Sequence, residues 1–233
     1  MNPDKQSRAR EIDMMIDRPN PFSDPQLVAR YADSPPRIVP GFESMQRMTA
    51  LLLAERVPAD GRVLVVGAGG GLELKTFAQL YPGWTFDGID PSAAMLQLAR
   101  QTLGSLAPRV TLHQGYTANA PEGPFDGATC LLTLHFLPLE ERRHTLAEIH
   151  RRLKPGAPFV VAHLCIAQDD ERAVWLSRYS AYAGIDPNQA AVIDSQLTIL
   201  SPEQDEAMLR EAGFSRLSLF YAGFTFRGWV GYA

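Results

Sequence analysis

The sequence predicts an α/β fold in which a mostly parallel sheet is covered by helices on both faces. Apolar runs typical of strands alternate with segments of helical period through most of the chain. A glycine cluster follows the first of these runs, and two strand-like runs near residue 233 succeed each other without a helix between them. A length of 233 residues suits one domain with an elaboration.

The part of the chain before the alternation is predicted to hold short helical segments, with a partly disordered stretch or a short helix over residues 1–25. Residues 1–25 are polar and carry prolines, and residues 26–40 predict a short helix followed by an extended link. A helix is predicted over residues 41–58, because Phe42 and its apolar neighbours recur at helical spacing. We therefore expect an N-terminal segment or cap over residues 1–40 and the main domain over residues 41–233.

Five strands then alternate with helices. Strands are predicted over 62–66, 84–89, 109–114, 125–134 and 158–164, and helices over 71–80, 91–103 and 139–153. Asp90 is the expected cap of the second of these helices. Strands joined by crossover helices lie parallel, so the sheet is expected to be doubly wound.

The C-terminal part departs from this alternation. A helix is predicted over 201–214, and the runs 215–222 and 224–232 predict an antiparallel hairpin. Residues 165–200 are too long for an ordinary connection and place Tyr179 in a segment of helical period. This insert is predicted to be a helical cap over the sheet.

Composition and charge narrow the classes of function. The net charge of −4 argues against a nucleic-acid partner. The basic residues of the helix over 139–153 are expected to form a solvated face, and they are Arg142, Arg143, Arg151, Arg152 and the adjoining Lys154. Cys130 and Cys165 lie in apolar stretches, which predicts buried free thiols, and no spacing suggests a metal. No signal core or apolar span is visible, so we expect no membrane association and a cytoplasmic protein.

The glycine cluster predicts a nucleotide site. Gly67, Gly69 and Gly71 lie between a strand and a helix, and Asp90 ends the next strand. Glycines allow a ligand to approach the backbone, and a carboxylate at that place accepts hydrogen bonds from ribose hydroxyls. A nicotinamide dehydrogenase stays an alternative, although its fingerprint has glycine where Leu72 stands.

Four longer motifs carry a resemblance to a known family. They are VLVVGAGGG (63–71), GIDPSAAML (88–96), FDGATCLLTLHFL (125–137) and EIHRRLKPGAPFVVAHL (148–164). Together they resemble the class I, seven-stranded, Rossmann-like S-adenosylmethionine-dependent methyltransferases. The resemblance implies methyl transfer from S-adenosyl-L-methionine to a small-molecule acceptor, with S-adenosyl-L-homocysteine as product. It also implies a cofactor site made by Gly67, Ala68, Gly69, Gly71, Asp90, Pro91, Met95, Gly115, Tyr116, Thr117 and Leu132.

Three segments are similar to the carboxy-S-adenosylmethionine synthase branch: 39–57, 134–142 and 209–230. That branch has an arginine for the extra carboxylate near the position of Met208, and methionine cannot pair with a carboxylate. We therefore expect ordinary methyl transfer and keep the synthase activity as an alternative. The family also has acidic residues where Val65 and Tyr116 stand, which leaves a non-catalytic S-adenosylmethionine-binding scaffold as a further alternative.

Methyl transfer needs mainly orientation, so no fixed catalytic motif is required. His135 and His163 end the fourth and fifth predicted strands, where each is a candidate general base. The candidates for lining the acceptor site are Tyr31, Arg37, Phe42, Tyr179 and Tyr182. A homodimer is left open.

Overall fold

The computed structural model describes residue 28, residues 34–184 and residues 190–233. The strands of its sheet are β1 (Arg62–Val66), β2 (Thr85–Asp90), β3 (Val110–Gln114), β4 (Gly127–Leu131), β5 (Pro158–Leu164), β6 (Ser215–Gly223) and β7 (Phe226–Tyr232). The helices are α1 (Ser34–Ile38), α2 (Phe42–Ala54), α3 (Leu72–Leu80), α4 (Ala93–Leu103), α5 (Leu139–Arg152), α6 (Arg172–Ala183), α7 (Ala190–Gln196) and α8 (Pro202–Glu211). Single 3₁₀ segments lie at Gly104–Arg109, Thr117–Asn119 and Leu134–Phe136.

The seven strands form one sheet in the order β3-β2-β1-β4-β5-β7-β6. The first five in this order are parallel, whereas β7 runs antiparallel to both β5 and β6. The predicted doubly wound sheet with a C-terminal antiparallel hairpin is confirmed. The winding reverses between β1 and β4, so the carboxyl ends of these two strands border the crevice where ligands bind in such sheets.

Two apolar clusters pack on opposite faces of the sheet. Val63 and Val65 of β1 belong to one cluster with Phe77 of α3, whereas Leu64 and Val66 belong to the other. Alternate residues of a strand point to opposite faces, and β1 is apolar on both because helices cover both. The loops at the carboxyl edge are therefore carried on a buried, well-packed frame.

Several local expectations are corrected. The fourth strand ends at Leu131 rather than at residue 134, because Leu132 takes a left-handed conformation with φ 56°. Residues Ser34–Ile38, expected to be an extended link, form α1, since proline fits the first turn of a helix. The cap of α4 is Ser92 and not Asp90, because the Ser92 hydroxyl accepts the Met95 N–H at 3.2 Å.

The basic residues of α5 are also corrected in part. Arg142 and Arg152 have no exposed surface, whereas Arg143, Arg151 and Lys154 are exposed as predicted. Each buried guanidinium has a set of carbonyl and carboxylate acceptors around it, which a buried charge requires. Both cysteines are buried and unpaired, as expected.

The insert after β5 is helical. It contains α6 and α7, and the guanidinium of Arg172 at the start of α6 forms an ion pair with Asp194 of α7. The helix α1 packs against α6. Most of the predicted N-terminal segment lies outside the described residues. Among the described helices, none combines the length and the apolar character needed to cross a bilayer.

Candidate functional site

The glycine loop follows β1 and holds a sharply bent backbone. Gly67, Gly69 and Gly71 have φ values of 73°, 49° and 78°, which favour glycine. The N–H groups of Gly67 and Ala68 donate to the carbonyl oxygen of Ile89 at 2.9 and 3.0 Å. A Cβ atom on Gly67 would lie 2.0 Å from the Thr133 Oγ1, so only glycine fits there. The loop is thus held against β2 and β4, and its glycines let the backbone pack closely there.

Asp90 connects the loops that follow β1 and β2. Its Oδ2 accepts the Gly69 N–H at 3.0 Å, and its Oδ1 accepts the Ser92 N–H at 2.9 Å. Burial raises the pKa of Asp90, while the two backbone donors oppose that shift. A carboxylate has about four lone-pair positions, so two remain for ribose hydroxyls.

The loop after β3 is the third loop at the carboxyl edge of the sheet. Gly115 has φ 144° and donates its N–H to the carbonyl oxygen of Asp90 at 3.1 Å. The Tyr116 side chain is 62% exposed, whereas Thr117 and Met95 are buried. The exposed Tyr116 ring has room to stack on a ligand, and its contact with the cofactor stays a prediction.

Arg152, at the end of α5, holds the loop after β3 in place. This role was not predicted from the sequence. Its guanidinium donates to the carbonyl oxygens of Ala118, Ala120 and Pro121 at 3.2, 3.3 and 3.1 Å. Arg152 follows the buried Ile149 by three residues, so its position on the apolar stripe of α5 was the available signal.

The fourth loop begins at Leu132, directly after β4. Its N–H donates to the carbonyl oxygen of Ala162 at 2.6 Å, and its positive φ turns the chain away from the sheet. The eleven residues implied to hold the cofactor therefore lie at the carboxyl edge of β1 to β4, on the four loops there except for Asp90 at the end of β2 and Met95 in α4. That they contact the cofactor stays a prediction.

A buried acid behind the glycine loop was also missed. Glu73 in the first turn of α3 accepts the Thr129 hydroxyl at 2.9 Å, and burial raises the pKa of Glu73 to about 8. Its position two residues after Gly71 was the available signal. It is easily overlooked, because an acid in the first turn of a helix is usually explained as a partner of the helix dipole.

Both histidines proposed as bases are buried. His163 is 1% exposed, and its Nε2 lies 3.0 Å from Asp205 Oδ2, within ion-pair distance but outside hydrogen-bond geometry. Asp205 also pairs with Arg142 at 2.8 Å. His163 is thus engaged with α8 because β5 is covered on both faces, and this position does not support its role as a base.

His135 lies in the 3₁₀ turn after β4 and accepts the Leu164 N–H on Nδ1 at 3.4 Å. Burial, with the nearby cations as further causes, lowers the pKa of His135 well below its usual value. The imidazole is therefore neutral near pH 7, and because Nδ1 accepts the Leu164 N–H, Nε2 carries the proton and the basic lone pair is the one on Nδ1.

The candidates for lining the acceptor site separate into two groups. Phe42 and Tyr179 are buried in the apolar cluster beneath the cap, and burial raises the pKa of Tyr179 to about 12. They pack as core residues, and their role in lining the acceptor site stays a prediction. Arg37 and Tyr182 are exposed, while Tyr31 lies outside the described residues.

Comparison with known proteins bears on this arrangement. Residues 63–156, which contain the glycine loop and Asp90, match the family model described as a methyltransferase domain. Over this part of the chain, which is less than half of it, the sequence is similar to a methyltransferase domain. With its class I fold, this domain makes the protein an S-adenosylmethionine-dependent enzyme, and S-adenosylmethionine is its cofactor.

Curated relatives match the methyltransferase domain and its flanks. The carboxy-S-adenosyl-L-methionine synthase of Chromohalobacter salexigens is 27% identical over 230 residues, covering 93% of this chain and 85% of that protein. The enzyme of the same name from Actinobacillus succinogenes is 27% identical over 218 residues, covering 87% of this chain and 89% of that protein. The predicted similarity to this branch is confirmed.

Solved structures share the fold. An O-methyltransferase family protein from Burkholderia thailandensis superposes with a TM-score of 0.63 at 16% identity, covering 82% of this chain and 55% of its own. Human N-acetylserotonin methyltransferase in complex with SAM gives 0.57 at 18%, covering 88% of this chain and 58% of its own. This chain spans less than two thirds of those proteins, so the likeness concerns the fold of the methyltransferase domain.

Proposed function

We propose that the protein transfers a methyl group from S-adenosylmethionine to a small-molecule acceptor. The observation that carries the proposal is the bridge that Asp90 makes between the loops after β1 and β2, beside a glycine backbone with no room for a side chain at Gly67. These residues fit a nucleoside, with the glycine loop beside it, a carboxylate for the ribose and Tyr116 over the base.

Bound S-adenosylmethionine supplies a methyl group on a positively charged sulfur, which is already activated for displacement. The protein therefore has to hold the two reactants in line and exclude water. Orientation of this kind contributes about 7–11 kcal/mol in favourable cases. In this chain the four loops at the carboxyl edge hold the nucleoside, and the cap formed by α6 and α7 covers the acceptor.

The exposed residues near the cap support a small acceptor. Arg37 on α1 and Tyr182 on α6 are both exposed, and α1 packs against α6. Arg37 is the side chain that we expect to bind an acidic acceptor. A homodimer stays a prediction.

A general base is needed only for an acceptor that must lose a proton. His135 is the candidate, because it follows β4 at the carboxyl edge and is neutral, and as a base it would exchange the Leu164 N–H at Nδ1 for the proton of the acceptor. His135→Ala should then lower turnover about 10²–10⁴-fold while cofactor affinity changes little. Equal losses of turnover and affinity would assign His135 a structural role.

Carboxy-S-adenosylmethionine synthesis is the second candidate, since the curated relatives of that name match 93% and 87% of the chain. Met208, which stands where that branch carries its arginine, is buried in an apolar cluster. The nearby Arg210 is exposed and pairs with Glu206 at 2.7 Å. Neither Met208 nor Arg210 therefore supplies a positive charge that is free to bind the extra carboxylate, and this favours methyl transfer.

Calorimetric titration with S-adenosylmethionine, S-adenosylhomocysteine and NAD tests the cofactor. Binding of the first two and not of NAD supports the proposal, and binding of NAD alone would replace it with the dehydrogenase. Incubation with S-adenosylmethionine and prephenate, followed by mass spectrometry, then tests the second candidate. Turnover of a panel of small acceptors supports methyl transfer, and binding without any turnover would favour the scaffold.

A further inference from the structure

A buried carboxyl group lies behind the glycine loop with no counter-ion among the described residues. Glu73 is 7% exposed, and the Thr129 hydroxyl is the partner that the described part of the chain gives it. An ionised carboxylate in such a place is costly unless a cation pairs with it. The Glu73 carboxyl group is therefore buried at a place where the described residues do not neutralise it.

The position of this carboxyl group follows from the sheet register. Thr129 of β4 pairs with Val65 of β1, and paired residues of neighbouring strands point to the same face. Val65 packs in the cluster of α3, the helix that carries Glu73. The Glu73 carboxyl group therefore lies beside Val65, two residues before Gly67, at the base of the loop that faces the cofactor.

We infer that Glu73 is the counter-ion for the ammonium group of the methionine part of S-adenosylmethionine. The inference rests on the proposed function, and it assigns a binding residue in α3 where position 65 is apolar. A cation next to a carboxyl group favours its ionised form. The first turn of α3 stabilises the resulting negative charge through the helix dipole.

Binding then moves a proton. Burial raises the pKa of Glu73 to about 8, so the free protein carries this carboxyl group mainly protonated at pH 7. When the ammonium group arrives, the carboxyl O–H bond breaks, the proton passes to the buffer, and the carboxylate pairs with the cation. A ligand without the ammonium group leaves the proton in place.

Two ligands separate this role from a structural one. S-adenosylhomocysteine carries the ammonium group, whereas 5′-methylthioadenosine has the same nucleoside without it. We expect Glu73→Gln to weaken S-adenosylhomocysteine binding at least tenfold and to change 5′-methylthioadenosine binding less than twofold. The matched control is Glu55→Gln, an exposed residue after α2, which should change neither.

Titration calorimetry at pH 7 in buffers of different ionisation enthalpy measures the proton. The wild-type protein should release close to one proton with S-adenosylhomocysteine and none with 5′-methylthioadenosine, and Glu73→Gln should release none with either. Should Glu73→Gln fail to fold, the contrast between the two ligands in the wild-type protein decides alone.

Equal weakening of both ligands in Glu73→Gln, or equal proton release with both, would make Glu73 a structural residue. Unchanged S-adenosylhomocysteine binding would also overturn the inference. If the wild-type protein binds neither ligand, the proposed function fails, and the inference fails with it for that separate reason.

Discussion

Asp90 offers the sharpest test of the site, because one carboxylate connects two of its loops. Asp90→Ala removes the acceptor for the Gly69 and Ser92 N–H groups, which it binds at 3.0 and 2.9 Å, and the expected acceptor for the ribose. A hydrogen bond to a charged group contributes about 1.5–3 kcal/mol. Loss of the ribose contact alone therefore predicts at least a tenfold lower affinity, since about 1.4 kcal/mol corresponds to a factor of ten.

The conservative change Asp90→Asn separates the two roles of Asp90, which are holding the two loops and accepting hydrogen bonds from the ribose. Asp90→Asn keeps the size and one acceptor oxygen, but turns an NH₂ group toward one of the two backbone donors. We expect an affinity loss of at least tenfold for Asp90→Ala, with a smaller one for Asp90→Asn, in calorimetric titration with S-adenosylhomocysteine. Asp60→Asn, in the exposed turn before β1, is the matched control and should bind normally. Unchanged affinity in Asp90→Ala would refute the assigned cofactor site.

Three further predictions concern the frame of the site. Gly67→Ala should abolish S-adenosylhomocysteine binding and lower the melting temperature more than Gly184→Ala. The two positions have similar φ values (73° and 67°), but among the described residues an added Cβ atom has a neighbour within 4 Å only at Gly67. Equal effects would contradict this. Asp205→Ala leaves Arg142 buried without its carboxylate and should lower the free energy of unfolding by about 3–5 kcal/mol in urea titration, and a loss below about 1 kcal/mol would contradict it. The pKa of Glu73 rises from 4.5 to about 8 on folding, so the stability that the protonated carboxyl group contributes is lost as the pH rises through that range. Relative to Glu73→Gln, the free energy of unfolding of the wild-type protein should fall by about 3 kcal/mol between pH 5 and pH 8. A pH-independent difference would refute the shift.

Much of the fold was predictable because the deciding signals are local. β1 and β5 were placed to the residue, and the helix predicted from Ser201 is α8, which begins at Pro202 after the Ser201 cap. Such signals depend on neighbours within about four residues, so they can be read from the chain alone. The boundary errors fell where backbone conformation was decided by packing, as at Leu132.

The site was predictable in its loops and not in its supports. Gly67 and Asp90 were singled out because a bend after β1 favours glycine and because an acid at the end of the next strand is typical of nucleotide sites. Arg152 was predicted to be solvated and Glu73 was not singled out, because their partners lie 31–34 and 56 positions away. Charged side chains are exposed by default, so only the fold reveals which of them are buried with partners.

The sequence by itself determined the alternation of strands and helices, the glycine loop and the acid at the end of β2. Each depends on periodicity or on a conformation that one residue type allows. The tertiary structure alone decided that His163 is held by Asp205 in the core and that the Glu73 carboxyl group lies beside β1 behind the glycine loop. Those outcomes depend on which distant segments meet, because burial and charge pairing are properties of the packed chain and not of its neighbouring residues.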